Sequence, residues 1–314
     1  MAPSSSIRAS APGNLMILGE HAVLHGRRAL ACAVDRRISV TLQPRTDRVI
    51  CINSSLGTYS AELENLKPSG PFRFVLAVLV TLHPRLDHGF NILIESEFSD
   101  TVGLGSSAAV TVAMAAGICA FFGLPVTPET LHQECLTSIR SIQGIGSGTD
   151  AAASILGGVV AYRAEPRELT KLSYPFPISV IYSDFKTTTV DVINQVESFR
   201  QKNKYDFERI FDLIDESVGE AIKAIEQQDW QRLGAILNKN QTFMSRLGVS
   251  NRALDDILTR MRDDPNILGA KISGSGLGDC VLGLGKPFDI DSPYEQIPVE
   301  ISGQGVYVDK ERMY

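Results

Sequence analysis

A loop rich in glycine and serine at residues 101–109 (TVGLGSSAA) constrains this 314-residue chain more than any other segment. It opens a run of small apolar residues that predicts a buried helix extending to Phe122. At such a helix start, free backbone N–H groups and the positive end of the helix dipole attract an anion. The glycines let the backbone approach a phosphate closely, and the two serines can cap the helix, bond phosphate oxygens or ligate Mg²⁺. Alone, the loop is also compatible with a simple tight helix entry.

Familiar phosphate-binding loops of other types do not fit this segment. Residues 103–108 (GLGSSA) match the dinucleotide pattern GxGxxA, but a Rossmann loop follows its strand directly. Here the polar segment 95–101 separates the loop from the predicted strand at 92–94. No glycine loop in the chain ends in Gly-Lys-Ser/Thr, and the HRD and DFG motifs of protein kinases are absent. The loop therefore predicts a phosphate site of another kind.

Composition narrows the class of protein. The formal net charge of −6 argues against a general binder of nucleic acids or anionic membranes. The most apolar stretch, residues 108–122, is too short to span a bilayer. Five cysteines are an odd number and show no CxxC spacing, so we expect reduced thiols. We therefore expect a cytoplasmic protein that binds neither nucleic acid nor membrane.

Patterns typical of strands and of helices occur in both halves of the chain, which predicts an α+β fold. A segment with three prolines and several charges, residues 163–177, is the best candidate for a domain boundary. We expect two domains, residues 1–165 and 166–314. Three amphipathic helices are expected in the second, the last with Ser250 as its N-cap; their apolar stripes lie at residues 207–225, 233–244 and 254–261.

Two more glycine loops accompany the first, at residues 11–21 (APGNLMILGEH) and 272–280 (ISGSGLGDC). In order and approximate spacing, the three loops resemble those of the GHMP kinases (galactokinase, homoserine kinase, mevalonate kinase, phosphomevalonate kinase). The resemblance covers residues 11–284. The nearest subfamily resembles mevalonate kinase, whose opening signature corresponds here to PG at residues 12–13, GEHAV at 19–23 and HG at 25–26.

The resemblance implies a two-domain fold with the active site between the domains. The N-terminal, ATP-binding domain would be like ribosomal protein S5 domain 2, and the C-terminal domain would be ferredoxin-like. The implied activity is transfer of the γ-phosphoryl group of ATP, with Mg²⁺, to a hydroxyl of mevalonate in isoprenoid precursor synthesis. Alternatives are another acceptor, such as phosphomevalonate or a sugar, and a catalytically weakened ATP-binding sensor. A homodimer is a candidate assembly that the resemblance does not decide.

The same resemblance implies roles for individual residues. The nucleotide would be bound by residues of the first and third loops: Gly103, Leu104, Gly105, Ser106, Ser107, Ala108, Gly274, Ser275 and Gly276. The acceptor alcohol would contact four residues: Glu20, His21, Lys186 and Thr188. Ser107 would also ligate Mg²⁺. Asp150, which follows the glycine loop at residues 144–149, would accept the proton of the acceptor hydroxyl, although a turn or helix-capping role is the simpler reading of an aspartate there.

Three departures from the family pattern stand out. Mevalonate kinases carry a lysine where this chain has Asn14, so the catalytic position lacks that positive charge. The family's metal-binding glutamate would fall near Ile139 or Arg140, neither of which ligates Mg²⁺, and Glu134 is the candidate substitute. The third loop contains Asp279 in place of a pure glycine run, a form closer to phosphomevalonate kinases.

Overall fold

The chain folds around two β-sheets. The computed structural model describes residues 5–82, 84, 86–124, 126–286 and 293–312. Within these residues the strands form one eight-stranded and one four-stranded sheet. No helix in this part of the chain is long and apolar enough to cross a membrane.

The larger sheet has the strand order β12-β1-β2-β5-β3-β4, and β6 pairs with both β2 and β7. The 16-residue β2 joins these parts, because its first residues pair with β6 and its later residues with β5. Only the β3–β5 pairing in this described sheet is parallel. Its strands are β1 (Ser5–Leu18), β2 (Ala29–Pro44), β3 (Val49–Ser54), β4 (Gly57–Glu62), β5 (Phe90–Ser96), β6 (Val159–Arg163), β7 (Glu168–Leu172) and β12 (Tyr307–Arg312).

Four helices pack together and against the larger sheet, and their apolar residues join those of the strands in one buried core. They are α1 (Arg73–Leu82), α2 (Ser106–Phe121), α3 (Pro128–Gln143) and α4 (Thr149–Leu156). The small residues of α2 let it lie close to β1 and β2: a Cβ added to Gly117 would meet Leu42 at 3.1 Å. Thr127 is the N-cap of α3 and forms a capping box with Thr130, and Pro128 lies in the first turn.

The smaller sheet is antiparallel and has the order β11-β8-β10-β9, which is the 4-1-3-2 arrangement of a ferredoxin-like sheet. Its strands are β8 (Ile178–Tyr182), β9 (Gly269–Ser273), β10 (Cys280–Leu284) and β11 (Gln296–Ile297). Helices α5 (Thr189–Lys202), α6 (Lys204–Glu226), α7 (Trp230–Arg246) and α8 (Arg252–Asp263) connect β8 to β9. This confirms the expected α+β fold with a ferredoxin-like second part.

Two details differ from the sequence-based expectation. The N-cap of α8 is Asn251, whose side chain accepts a hydrogen bond from the Leu254 amide, whereas the Ser250 hydroxyl donates to Asp255. The larger sheet also continues past residue 165, because β7 pairs with β6 and β12 pairs with β1. The division at residue 165 stays a prediction. The larger sheet takes strands from both ends of the described chain, and the strands of the smaller sheet lie between them in sequence.

Candidate active site

A cleft of about 1240 Å³ lies where the two sheets and their helices meet. Its walls come from the ends of β1 and β9, the starts of α2 and α4, the end of α3, and the loop between β8 and α5. All three glycine-rich loops identified in the sequence therefore border one cavity.

The glycine loop at residues 101–109 lines the cleft. Gly103 and Gly105 have φ angles of 69° and 65°, which few residues other than glycine adopt readily. Gly105 is the N-cap of α2 and no side chain caps this helix, so neither Ser106 nor Ser107 serves as its cap. Both serines line the cleft beside the free N–H groups of the first helical turn. This arrangement suits an anion such as a phosphate.

Asn14 forms hydrogen bonds with that loop. Its side-chain amide donates to Ser154 Oγ at 3.0 Å and to the Gly105 carbonyl at 3.4 Å, and its backbone N–H donates to the Leu104 carbonyl at 3.0 Å. A Cβ added to Gly105 would lie 2.2 Å from Asn14 Oδ1, so a side chain at position 105 would collide with Asn14. These contacts explain how an uncharged residue is used here: Asn14 holds the glycine loop at residues 103–105 in place.

The glycine loop before Asp150 is held by three donors. Arg140 donates to the carbonyl of Gly146, the Tyr162 hydroxyl to that of the next residue at 2.7 Å, and His132 Nε2 to that of Gly148 at 2.9 Å. Because carbonyls only accept, the His132 ring carries its proton on Nε2. With three successive carbonyls fixed, the loop delivers Asp150 to the first turn of α4 in a defined position.

Asp150 is exposed to the cleft, but the protein that surrounds its carboxyl group partly desolvates it. This desolvation, together with the smaller effects of the nearby carboxylates Glu20 and Asp279, raises the pKa of Asp150 from 3.8 to about 6. A base whose pKa lies close to neutral pH is well matched to accepting a proton from a substrate. The environment of Asp150 therefore raises its pKa, whereas the family's lysine at position 14 would hold the aspartate ionised.

The family resemblance implies that Asp150 acts as a base, and on that expectation the pH dependence of the activity should show this shift. Asp150 would accept a proton only when it is ionised, so kcat/KM should decline about tenfold per pH unit below about pH 6. An aspartate with an ordinary pKa would keep the profile level down to about pH 4. Initial rates between pH 4.5 and 8 measure this, and a level profile down to pH 5 would contradict it.

Glu20 and Lys271 form a buried ion pair beside the cleft, with side chains 2% and 0% exposed. Lys271 Nζ donates to Glu20 Oε1, while Glu20 Oε2 lacks a hydrogen-bond partner among the described residues. Burial lowers the pKa of Lys271, and the Glu20 charge opposes that effect. The pair joins the end of β1 to β9, so it ties the larger sheet to the smaller one.

His21 makes a second link across the cleft. Its Nε2 donates to the Ser275 carbonyl at 2.8 Å, which joins the glycine loop at residues 11–21 to the glycine loop at residues 272–280. The residue has a left-handed φ of 61° and is buried, and burial lowers the pKa of its imidazole. We therefore expect a neutral ring with its proton on Nε2.

The loop between β8 and α5 covers the third glycine loop. Lys186 Nζ donates to the Asp100 carbonyl at 2.8 Å, and the Thr187 hydroxyl donates to the Leu277 carbonyl at 2.8 Å. Thr188 lines the cleft and is also the N-cap of α5, because its side chain accepts a hydrogen bond from the Asp191 amide. The capping role gives Thr188 a structural function alongside any contact with substrate.

Most residues predicted for the site line this one cleft. They are Asn14, Glu20, His21, Gly103, Gly105, Ser106, Ser107, Ala108, Asp150, Lys186, Thr188, Gly274 and Ser275. Leu104 and Gly276 do not line it: Leu104 is buried beneath the loop, and Gly276 packs so closely on Val249 that a Cβ would lie 2.5 Å from its carbonyl oxygen.

Glu134 also lies away from the cleft. Helix α3 reaches the cavity only through residues near its end, namely Ile139, Ile142 and Gln143. The position therefore argues against Glu134 as a metal ligand. Asp279 does line the cavity, although the sequence-based assignment gave it no role; its only signal was an acidic residue within a glycine run.

The oxygen atoms around the cleft suit a magnesium ion that is bound mainly by phosphates. Asp279 Oδ1 and Glu20 Oε2 are buried without a protein partner in the described part of the chain, and the Ser107 side chain faces the same cavity. Carboxylate and hydroxyl oxygens are preferred ligands of Mg²⁺. No group of three or more His, Cys, Asp or Glu residues within the described ranges could hold a metal by itself. A nucleotide would have to complete the shell.

Comparison with known proteins agrees with this geometry. The family model for the GHMP kinases N terminal domain matches residues 73–158, and the model for the GHMP kinases C terminal domain matches residues 221–296. A mevalonate kinase from Aeropyrum pernix is 34% identical over 95% of this chain and 94% of its own length. The chain belongs to the GHMP kinase family. A mevalonate kinase from Archaeoglobus fulgidus is 32% identical over 96% of this GHMP kinase and 99% of its own length.

Solved structures show the same fold. The Lin0012 protein from Listeria innocua superposes with a TM-score of 0.85 at 22% identity, covering 97% of this chain and 99% of its own. The mevalonate kinase of Methanococcus jannaschii superposes with a TM-score of 0.77 at 24% identity, covering 94% and 98%. At these identities the likeness supports the architecture of this GHMP kinase and says nothing of its substrate.

Proposed function

We propose that this GHMP kinase transfers the γ-phosphoryl group of ATP to a hydroxyl of mevalonate. The observation that carries the proposal is the meeting of the phosphate loop, Asp150 and the Glu20–His21 pair in one cleft. The mevalonate kinase relatives, which align with nearly the whole chain, favour mevalonate as the acceptor.

The residues of the cleft divide the chemistry between them. The N-terminal turn of α2 binds the ATP phosphates through backbone amides and supplies positive potential where charge develops. Asp150 accepts the proton of the attacking hydroxyl, and its raised pKa suits that task. Ser107 is our proposed protein ligand for Mg²⁺, which neutralises phosphate charge when bound. The chain contributes chiefly position and electrostatics, as phosphoryl transfer requires.

The charges of the cleft favour an acceptor that is not already phosphorylated. Among the described residues that line it, only Arg73 and Lys186 carry a permanent positive charge. Arg73 donates to the Gly70 carbonyl, and Lys186 donates to the Asp100 carbonyl. A phosphate on the acceptor would need further cations. Apolar side chains such as Val23 and Ile193 also face the cavity, which suits the aliphatic skeleton of mevalonate better than a sugar.

A panel of acceptors tests the proposal. Purified protein with Mg-ATP is assayed for ADP release with mevalonate, phosphomevalonate, galactose and homoserine. We expect turnover with mevalonate at a kcat/KM at least a hundredfold above that for the others, because a mismatched polar group in a closed pocket leaves partners unpaired. Turnover with another alcohol would reassign the acceptor. Nucleotide binding without any turnover would indicate the sensor.

Two features of the proposal follow from the reaction itself. The enzyme needs Mg-ATP, and we place it in the cytoplasm, where that nucleotide is supplied. None of the five cysteines forms a disulfide bond, which agrees with a reducing compartment. We further propose that the active site is complete within one chain, because every group assigned a role here lies in a single cleft, so a homodimer would not be needed for catalysis.

A further inference from the structure

Asp279 occupies an unusual place in the third glycine loop. Its φ angle of 64° lies in the left-handed region, where glycine would incur less strain. The Asp279 backbone is fixed on both sides by the loop before α5: its N–H donates to the Phe185 carbonyl at 2.8 Å, and its carbonyl accepts from the Ser183 amide at 2.9 Å. The conformation therefore directs one particular side chain into the cleft.

The carboxyl group of Asp279 lies against the phosphate loop. A Cβ added to Gly103 would be 3.2 Å from Asp279 Oδ1 and 3.1 Å from Asp279 Cβ. The next residue is anchored to the same loop, because the Cys280 thiol donates to the Val102 carbonyl at 3.1 Å. The side chain of Asp279 thus touches the segment that we assign to the phosphates of ATP.

This carboxylate is left without a hydrogen-bond donor at one oxygen. Asp279 is 8% exposed, and its Oδ1 atom has no hydrogen-bond partner within the described ranges. Lys186 is the nearby cation that acts on Asp279, but its ammonium group donates to the Asp100 carbonyl. A buried carboxylate beside a site for a triphosphate repels its ligand, unless a cation lies between them.

We propose that Asp279 is a carboxylate ligand of the divalent cation that accompanies the bound nucleotide. The assignment rests on the proposed kinase function, since the phosphates would complete the coordination shell. It gives the cleft an acidic metal ligand from the β9–β10 loop, where α3 supplies none. Ser107 would approach the same cation from the opposite loop.

Binding measurements separate this role from a structural one. Manganese binding is followed by electron paramagnetic resonance with β,γ-imido-ATP, and binding of the same analogue is measured by calorimetry in EDTA. For Asp279→Asn we expect Mn²⁺ affinity in the ternary complex to fall about tenfold or more. Without metal, the analogue should bind the variant at least as tightly as wild type, because a repelling charge is gone.

Asp184→Asn is the matched control. Asp184 also has a left-handed φ, of 57°, and lies in the adjoining loop, but it is exposed and outside the cleft. Both affinities of this variant should equal those of wild type. Asp279→Gly relieves the backbone strain and should repeat the Mn²⁺ loss, so a folding defect in the asparagine variant does not decide the matter.

Two results would overturn the assignment: Mn²⁺ affinities within twofold of wild type in both Asp279 variants, or parallel weakening of nucleotide binding with and without metal. Failure of the proposed function looks different. In that case wild type turns over no alcohol in the acceptor panel, whatever its metal affinity.

Discussion

Replacing Asp150 with asparagine is expected to reduce kcat by about 10²–10⁴-fold, the usual contribution of a positioned general base. Asparagine keeps the size of the side chain and its place in the first turn of α4, but it cannot accept the hydroxyl proton. Affinity for Mg-ATP should change little, because the phosphate loop is untouched. Steady-state rates with mevalonate, together with calorimetric nucleotide binding, measure both quantities.

A folding defect is not expected in this variant. Asp150 is ionised at neutral pH against the desolvation that raises its pKa to about 6, so its charge opposes folding there. The neutral asparagine should leave the melting temperature equal or higher above pH 6. Asp206→Asn, an exposed first-turn carboxylate on α6, is the control and should keep full activity. Near-normal turnover by Asp150→Asn would refute the role of the base.

The largest loss of stability is expected from Glu20→Gln. This change leaves the Lys271 ammonium group buried without its counter-charge, and breaking a buried ion pair typically costs about 3–5 kcal/mol. Urea unfolding at pH 7 measures the free energy of unfolding. The double variant Glu20→Gln with Lys271→Met should recover part of the loss, because it removes the unpaired charge as well.

An exposed ion pair in the same chain provides the comparison. Lys286 and Glu300 are paired with 65% and 67% of their side chains exposed, so Glu300→Gln should leave the unfolding curve in place. Equal effects of Glu20→Gln and Glu300→Gln would show that burial does not govern the contribution of the Glu20–Lys271 pair. An additive loss in the double variant would show that the two side chains do not interact.

Local signals in the sequence were enough to predict the glycine loop before α2 and the helices around it. Two glycines before a run of small residues specify a helix entry, and Thr127-Pro128 specifies a capped helix start, because neighbouring residues determine both structures. The strand order of the smaller sheet also agrees with the family resemblance. These features depend on short stretches of chain or on a pattern that the family shares.

Contacts between distant segments could not be predicted in this way. Glu20 and Lys271 are 251 residues apart in the sequence, and nothing near either residue indicates its partner. Glu134 was chosen because it lies about one helical turn before the position where the family's glutamate would fall, and that choice ignores which face of α3 lines the cleft. The contacts of Asn14 likewise depend on how closely helix α4, which contains Ser154, approaches the glycine loop before α2.

The pairing of β1 with β12 has a consequence for how the chain acquires its fold. Residues 5–10 find their neighbour only at residues 307–312, so one side of β1 stays an open edge until about 300 further residues are available. Open edges recruit other strands and favour aggregation, and pairings between remote segments form slowly. During synthesis, β2 can pair with the other edge of β1 and α2 can cover one face of the strand, but this edge stays exposed until residues 307–312 arrive.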